Sequence, residues 1–228
     1  HSQDLYMQRI KRRYYMIFNS HSNLVGQHAF LGASKYHWLN YDDETLIQQY
    51  KRQYSTVIGT ILHKLACDCI RNHIKLSKSA DRHLIVLELS RNNIPLEYID
   101  INTILETLVP FVNDAIGFKM TPEQILYYSE NCFGTADVIS YRDGVLRIHD
   151  YKSGGIPAHM EQLVIYAALF CLEYKINPYD IKEIELRIYQ NGEILYHKPA
   201  PEEVNNVVKR IVEAENIITN LTSKVVVA

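Results

Sequence analysis

Gly134-Thr135-Ala136-Asp137-Val138-Ile139-Ser140-Tyr141-Arg142-Asp143-Gly144-Val145-Leu146-Arg147-Ile148-His149-Asp150-Tyr151-Lys152 reads as two strands joined by a tight reversal. Asp-Gly is strongly associated with two-residue hairpin turns. With Asp143-Gly144 as that turn, Arg142 faces Val145 and Tyr141 faces Leu146. Five steps back from the turn, Asp137 faces Asp150. Residues directly opposite on antiparallel strands carry their Cβ atoms about 4.5–5.5 Å apart on one face. Lys152, two residues past Asp150, projects from that face too. The rest of the face, Ile139, Tyr141, Leu146 and Ile148, is apolar.

Two carboxylates facing each other at the end of a buried sheet face repel, and desolvation adds to the cost. A shared proton offsets that cost, and so does a divalent cation. Oxygen ligands favour magnesium or manganese over zinc. Lys152 adds positive charge, and a lysine there can orient a water or stabilise charge developing on a phosphate. An ordinary salt-bridged cluster of Asp137, Asp150 and Lys152 satisfies the same spacing, so these residues alone leave the choice open.

Working outward, Ile125–Ser129 is a short strand candidate before the hairpin, and His159–Tyr174 a long apolar helix after it. Glu183–Gln190 alternates Ile184, Leu186 and Ile188 with polar residues, the pattern of a half-buried strand, and Asn191-Gly192 turns it into Glu193–His197. From Pro201 to Leu221, Val204, Val208, Ile211 and Ile218 share a helix face. Upstream, Ile58, Ile61, Leu62, Leu65, Ala66, Cys69 and Ile70 recur at helical spacing to about Ile74, with Ser55 and Thr56 as candidate caps. A separate polar helix is expected over 43–53, and a short one from Ser34. Residues 75–118 read as a helical elaboration, part of which could form an inserted cap.

The chain has 228 residues, enough for one domain with a real core, at 47% hydrophobic and 22% charged residues. His1-Ser2-Gln3-Asp4 resembles a tag remnant, so residues 1–6 are set aside and 7–228 are read as a single domain. No run of about 18 apolar residues occurs, so no membrane helix is expected, and no secretory leader is visible. The net charge of -2 counts mildly against a nucleic-acid binder. Lys11-Arg12-Arg13 and Lys51-Arg52 are the basic clusters, and solvated surface charge is the plainer reading of both. Cys67, Cys69, Cys132 and Cys171 form no zinc pattern and read as buried free thiols of a reducing, cytoplasmic compartment. There is no Gly-rich phosphate loop.

Gly134-Thr135-Ala136-Asp137, twelve residues, then Asp150-Tyr151-Lys152 resembles the core of the PD-(D/E)XK nuclease superfamily, and more narrowly its RecB-like exonuclease branch. Three further pieces are similar to that branch: Gln162-Leu163-Val164-Ile165-Tyr166 on the following helix, Gly59 with His63 on the upstream one, and Leu31-Gly32-Ala33-Ser34-Lys35 with Trp38. Each piece alone is weak, but four in order at plausible spacings are specific. The whole chain also looks like small phage-encoded members, whose location would be the host cytoplasm.

The resemblance implies a restriction-endonuclease-like α/β fold, with a central mixed sheet flanked by helices and the site where the hairpin opens. It implies magnesium or manganese on Asp137, Asp150, His63 and the Tyr151 carbonyl. Lys152 would activate water, and Gln162, Tyr166, Ser34 and Lys35 would position DNA. Without that context His63 reads as a core histidine, and Gln162 and Tyr166 as helix packing. Glu123 is a candidate extra carboxylate, with a surface role the plainer reading. No iron–sulfur cluster is expected, since Trp38 stands where an upstream cysteine would fall and the downstream triplet is missing. The expected activity is metal-dependent hydrolysis of linear DNA. The alternatives are a structure-specific endonuclease and a DNA-binding or assembly subunit acting with a recombinase or helicase. Self-association is compatible with each.

Overall fold

The structure, a computed structural model, describes residues 19–155 and 157–225. The proposed tag remnant and Lys11-Arg12-Arg13 lie outside them. The chain divides into two compact units, residues 1–46 and 47–228. In the first unit, short 3-10 segments span Ser22–Leu24 and Ala33–Asn40, the second interrupted at Lys35. The Trp38 indole N–H donates to the Gly32 carbonyl at 3.2 Å.

Two helices parted near residue 54 are expected, but a single helix, α1, runs unbroken from Asp43 to Arg71. Ser55 and Thr56 are exposed in its middle. There the Thr60 hydroxyl donates back to the Thr56 carbonyl at 3.0 Å, a local bond that a mid-helix threonine makes without ending the helix. Asp42 starts α1 instead, accepting the Thr45 N–H at 2.8 Å.

In the second unit α1 is followed by α2 (Arg82–Arg91), α3 (Ile101–Gly117), β1 (Thr121–Ser129), β2 (Cys132–Arg142), β3 (Val145–Lys152), α4 (Glu161–Tyr174), β4 (Glu183–Gln190), β5 (Glu193–His197) and α5 (Pro201–Val225). The strands form one mixed sheet in the order β1-β2-β3-β4-β5. β3 and β4 are parallel and the other pairs antiparallel. The fold is therefore α/β, a five-stranded mixed sheet flanked by helices. Asp143 and Gly144 have φ of 51° and 77°, and Asn191 and Gly192 52° and 78°. Both turns thus have the two left-handed residues that match the twist of the flanking strands. β1 begins four residues earlier than expected, and Pro122 is tolerated there because β1 is an edge strand.

Each sheet face has its own core. On one, Leu62, Ala66, Ile85, Leu89, Leu108, Phe111 and Val112 of α1–α3 pack with Val138, Tyr151 and Tyr189. α3 is thus a core layer, not an inserted cap. On the other, Leu163, Ala167, Ala168 and Val204 of α4 and α5 cover Ile139, Leu146, Ile148, Ile184, Leu186 and Ile188. Full burial of each such Leu, Ile, Val or Phe side chain contributes about 1.5–3 kcal/mol. No helix among the described residues is long and apolar enough to cross a membrane.

Candidate active site

The site forms where the β2–β3 ladder ends. The register expected from the turn holds from Arg142↔Val145 to Val138↔His149, then stops one pair short of Asp137 and Asp150. The strict alternation expected for this strand also fails here. Ala136 and Ile139 both join the α4–α5 core, while Val138 between them joins the other. Across β1, Glu123 sits at the register position facing Asp137, between Pro122↔Val138 and Gln124↔Ala136, with a φ of 52°. A kink in one strand thus faces a change of face in its neighbour. The Tyr151 N–H bonds the Asp137 side chain, donating to Oδ2 at 2.8 Å.

Asp150 is only 2% exposed. The Lys152 amine stands 2.9 Å from its Oδ2 but directs its hydrogen bond to Oδ1, at 3.2 Å. Oδ2 therefore accepts no hydrogen bond. Lys152 also donates to Gln162 Oε1 at 3.1 Å, and Gln162 Nε2 donates to the Tyr166 hydroxyl at 3.1 Å. The Gln-x-x-x-Tyr pair thus forms a relay that fixes the amine. Gly134 makes the relay fit, because a Cβ there would lie 2.9 Å from Tyr166 Cε1. From α1, His63 Nδ1 comes within 3.5 Å of Asp137 Oδ2, and its ring packs edge-on against Tyr151 at 5.4 Å between centroids.

Burial pushes both aspartates up to about 6. For Asp137 the Tyr151 N–H and Lys152 oppose the rise, and for Asp150 the charge of Asp137 adds to it. Burial lowers the His63 pKa, and the Asp150 charge opposes that. The two carboxylates, the amine and the imidazole thus form one electrostatic unit.

Among the described residues no three His, Cys, Asp or Glu side chains form a ready-made metal cluster. The donors present still suit a hard divalent cation: two carboxylates, one with a buried oxygen that accepts no hydrogen bond, and an imidazole beside them.

A family model described as "Protein of unknown function (DUF2800)" matches residues 28–193. The chain belongs to the DUF2800 family. No curated protein and no solved structure matches it. The DUF2800 match contains every residue of the constellation, from His63 to Tyr166, and Ser34 and Lys35 as well.

Ser34 and Lys35 lie exposed in the first unit, whereas His63, Asp137, Asp150, Lys152, Gln162 and Tyr166 all belong to the second. Glu123 is held by Arg71 at 2.5 Å and is half exposed. Gln190 is a further site residue that no motif in the sequence marks. It pairs in register with Lys152, donates to the Gly154 carbonyl at 2.6 Å and accepts the Ala158 N–H at 3.2 Å. It therefore pins the loop between Lys152 and α4. Its only sequence signal was its place as the last residue of β4. His149, Tyr189, Asp114 and Arg187 form a second polar cluster on the α3 side, buried at His149 and Tyr189 and partly exposed at Asp114 and Arg187. Burial there pushes His149 down to about 3, which keeps the ring neutral in a structural role.

Proposed function

We propose that this chain is a metal-dependent deoxyribonuclease that hydrolyses phosphodiester bonds of linear DNA, working in a cytoplasm, the host's if it is phage-encoded. The observation that carries the reading is the buried Asp150 carboxylate with Lys152 held against it by Gln162. Asp137, Asp150, His63 and the Tyr151 carbonyl would hold magnesium or manganese, which supplies Lewis-acid polarisation of phosphate and water. Lys152, fixed between Asp150 and Gln162, orients the attacking water and offsets charge growing on the phosphate. Asp137, anchored by the Tyr151 N–H, keeps its remaining lone pairs at the end of the ladder. Gln162 and Tyr166 hold the Lys152 amine in place and line the approach of the DNA.

A second reading has one observation in its favour: among the described residues no three His, Cys, Asp or Glu side chains form a ready-made metal cluster. In it the chain binds DNA as an assembly subunit with a recombinase or helicase and does not cut. Incubating the pure chain with linear and circular DNA in magnesium, manganese or EDTA separates the readings. Loss of linear DNA alone, blocked by EDTA, supports the exonuclease, and cutting of circles makes it an endonuclease. Binding without cutting in either metal favours the assembly subunit.

A further inference from the structure

We propose that the cleft between α1 and the start of α3 is a phosphate channel carrying the DNA strand that flanks the scissile bond, an inference that rests on the nuclease reading above. The cleft has a volume of about 440 Å³, and Lys51, Arg52, Ser55, Thr103 and Ser153 line it. It opens at the catalytic strand end, because Ser153 directly follows Lys152. Ser153 Oγ would lie 3.0 Å from a Cβ at Gly59, so α1 and this strand end meet at Gly59.

Lys51, Ser55, Gly59 and His63 are spaced four apart and form one ridge along α1. At 1.5 Å per residue, Ser55 lies roughly 12 Å and Lys51 roughly 18 Å along the helix from His63. Successive phosphates of one strand rise about 3.4 Å along a duplex axis, so a duplex lying along the ridge sets roughly three to five phosphates over that run. The ridge thus passes from the imidazole beside Asp137, past the close contact of Gly59 with Ser153, to a hydroxyl and then to two cations.

The chemistry of the lining suits a phosphodiester backbone. Its one carboxylate, Asp100, is engaged in capping α3, accepting the N–H groups of Asn102 at 3.0 Å and Thr103 at 3.2 Å and the Thr103 hydroxyl at 2.8 Å. In a chain of net charge -2 whose site carries two aspartates, local cations are needed to draw in a polyanion. The other cavities fit less well. The one of about 640 Å³ between α4 and α5 sets Glu161, Glu203 and Glu215 against Arg210 alone. The one with His73, Lys119 and Arg142 lies toward the turn end of β2, away from Asp137.

The test is fluorescence anisotropy of a labelled single-stranded 20-nucleotide DNA in EDTA, from 50 to 200 mM NaCl, on the full chain. The variants are Lys51→Gln/Arg52→Gln and, as a control, Lys209→Gln/Arg210→Gln on α5. Two lost phosphate contacts at about 0.7 each should lower the slope of log affinity against log salt by roughly 1.4. Affinity should fall about tenfold, and in magnesium KM should rise more than kcat falls. The control should match wild type. An unchanged slope and KM, or an equal loss in the control, would overturn the channel, and cleavage by wild type would leave the nuclease reading standing. If wild type binds but never cuts, while the slope still drops in the variant, the nuclease reading fails and the channel survives. A wild-type chain that binds no DNA overturns the channel, and degradation of linear DNA in magnesium then decides the nuclease reading separately.

Discussion

Gly134→Ala probes whether the Tyr166–Gln162–Lys152 relay is held by packing. Gly134 does not lie in the left-handed region, so alanine is compatible with its backbone. Its Cβ would meet Tyr166 Cε1 at 2.9 Å, closer than van der Waals contact permits. Overpacking of this kind costs about 1–3 kcal/mol. Replacing a strand glycine with alanine returns about 0.5–1 kcal/mol of backbone entropy. The net loss should be at most about 2.5 kcal/mol and centred near 1, or up to roughly 10 °C in Tm at about 2–4 °C per kcal/mol for a chain of this size. In a Tyr166→Ala background the clash is gone, so the same change should be neutral or stabilise by up to about 1 kcal/mol. The measurement is a double-mutant cycle by urea unfolding and thermal melts, with an expected coupling of about 1–3 kcal/mol. Cleavage by Gly134→Ala should fall along with stability, because displacing the ring frees Gln162 and hence Lys152. Equal effects of the alanine in both backgrounds would refute the packing argument.

Other outcomes follow from the same geometry. Both aspartates are raised above the unfolded value of 3.8 to about 6, so the folded chain binds more protons between those values. Without metal, stability should therefore fall as pH rises from about 4 to 6; melts in EDTA against magnesium should show metal raising Tm at pH 8 and having little effect at pH 5, and a flat profile would count against a buried carboxylate pair. Lys152→Met should abolish cleavage and, by stranding Asp150, destabilise the fold by about 3–5 kcal/mol at pH 8 and less at pH 5, read by urea titration at both values. Gly144→Val, at a φ of 77° and with a Cβ that would lie 3.2 Å from Lys182 Cβ, should lower Tm by several degrees in a thermal melt. Gln190→Leu should loosen the loop after Lys152 and lower kcat, with binding of the labelled DNA in EDTA unchanged.

Much of the fold was legible because it depends on local chemistry. Asp143-Gly144 and Asn191-Gly192 gave both turns. The alternation around them gave Val145–Lys152, Glu183–Gln190 and Glu193–His197 with the bounds observed. The contact between Gln162 and Tyr166 follows from helical spacing. The parts not legible are set by non-local contacts. Exposed Ser55 and Thr56 look like caps until the rest of α1 is seen to pack through them. The change of face at Asp137 answers a kink at Glu123 on another strand, and no period within β2 reveals it. The role of Gln190 follows only from the parallel pairing of β3 with β4.

Titration calorimetry with manganese on the pure chain and on Asp150→Asn, paired with degradation of linear DNA by the same samples, bears most directly on the account. Wild type should bind manganese and degrade the DNA, and the near-isosteric amide should lose both while remaining folded by circular dichroism. Equal manganese binding by the two proteins, or wild-type cleavage by Asp150→Asn, would contradict it.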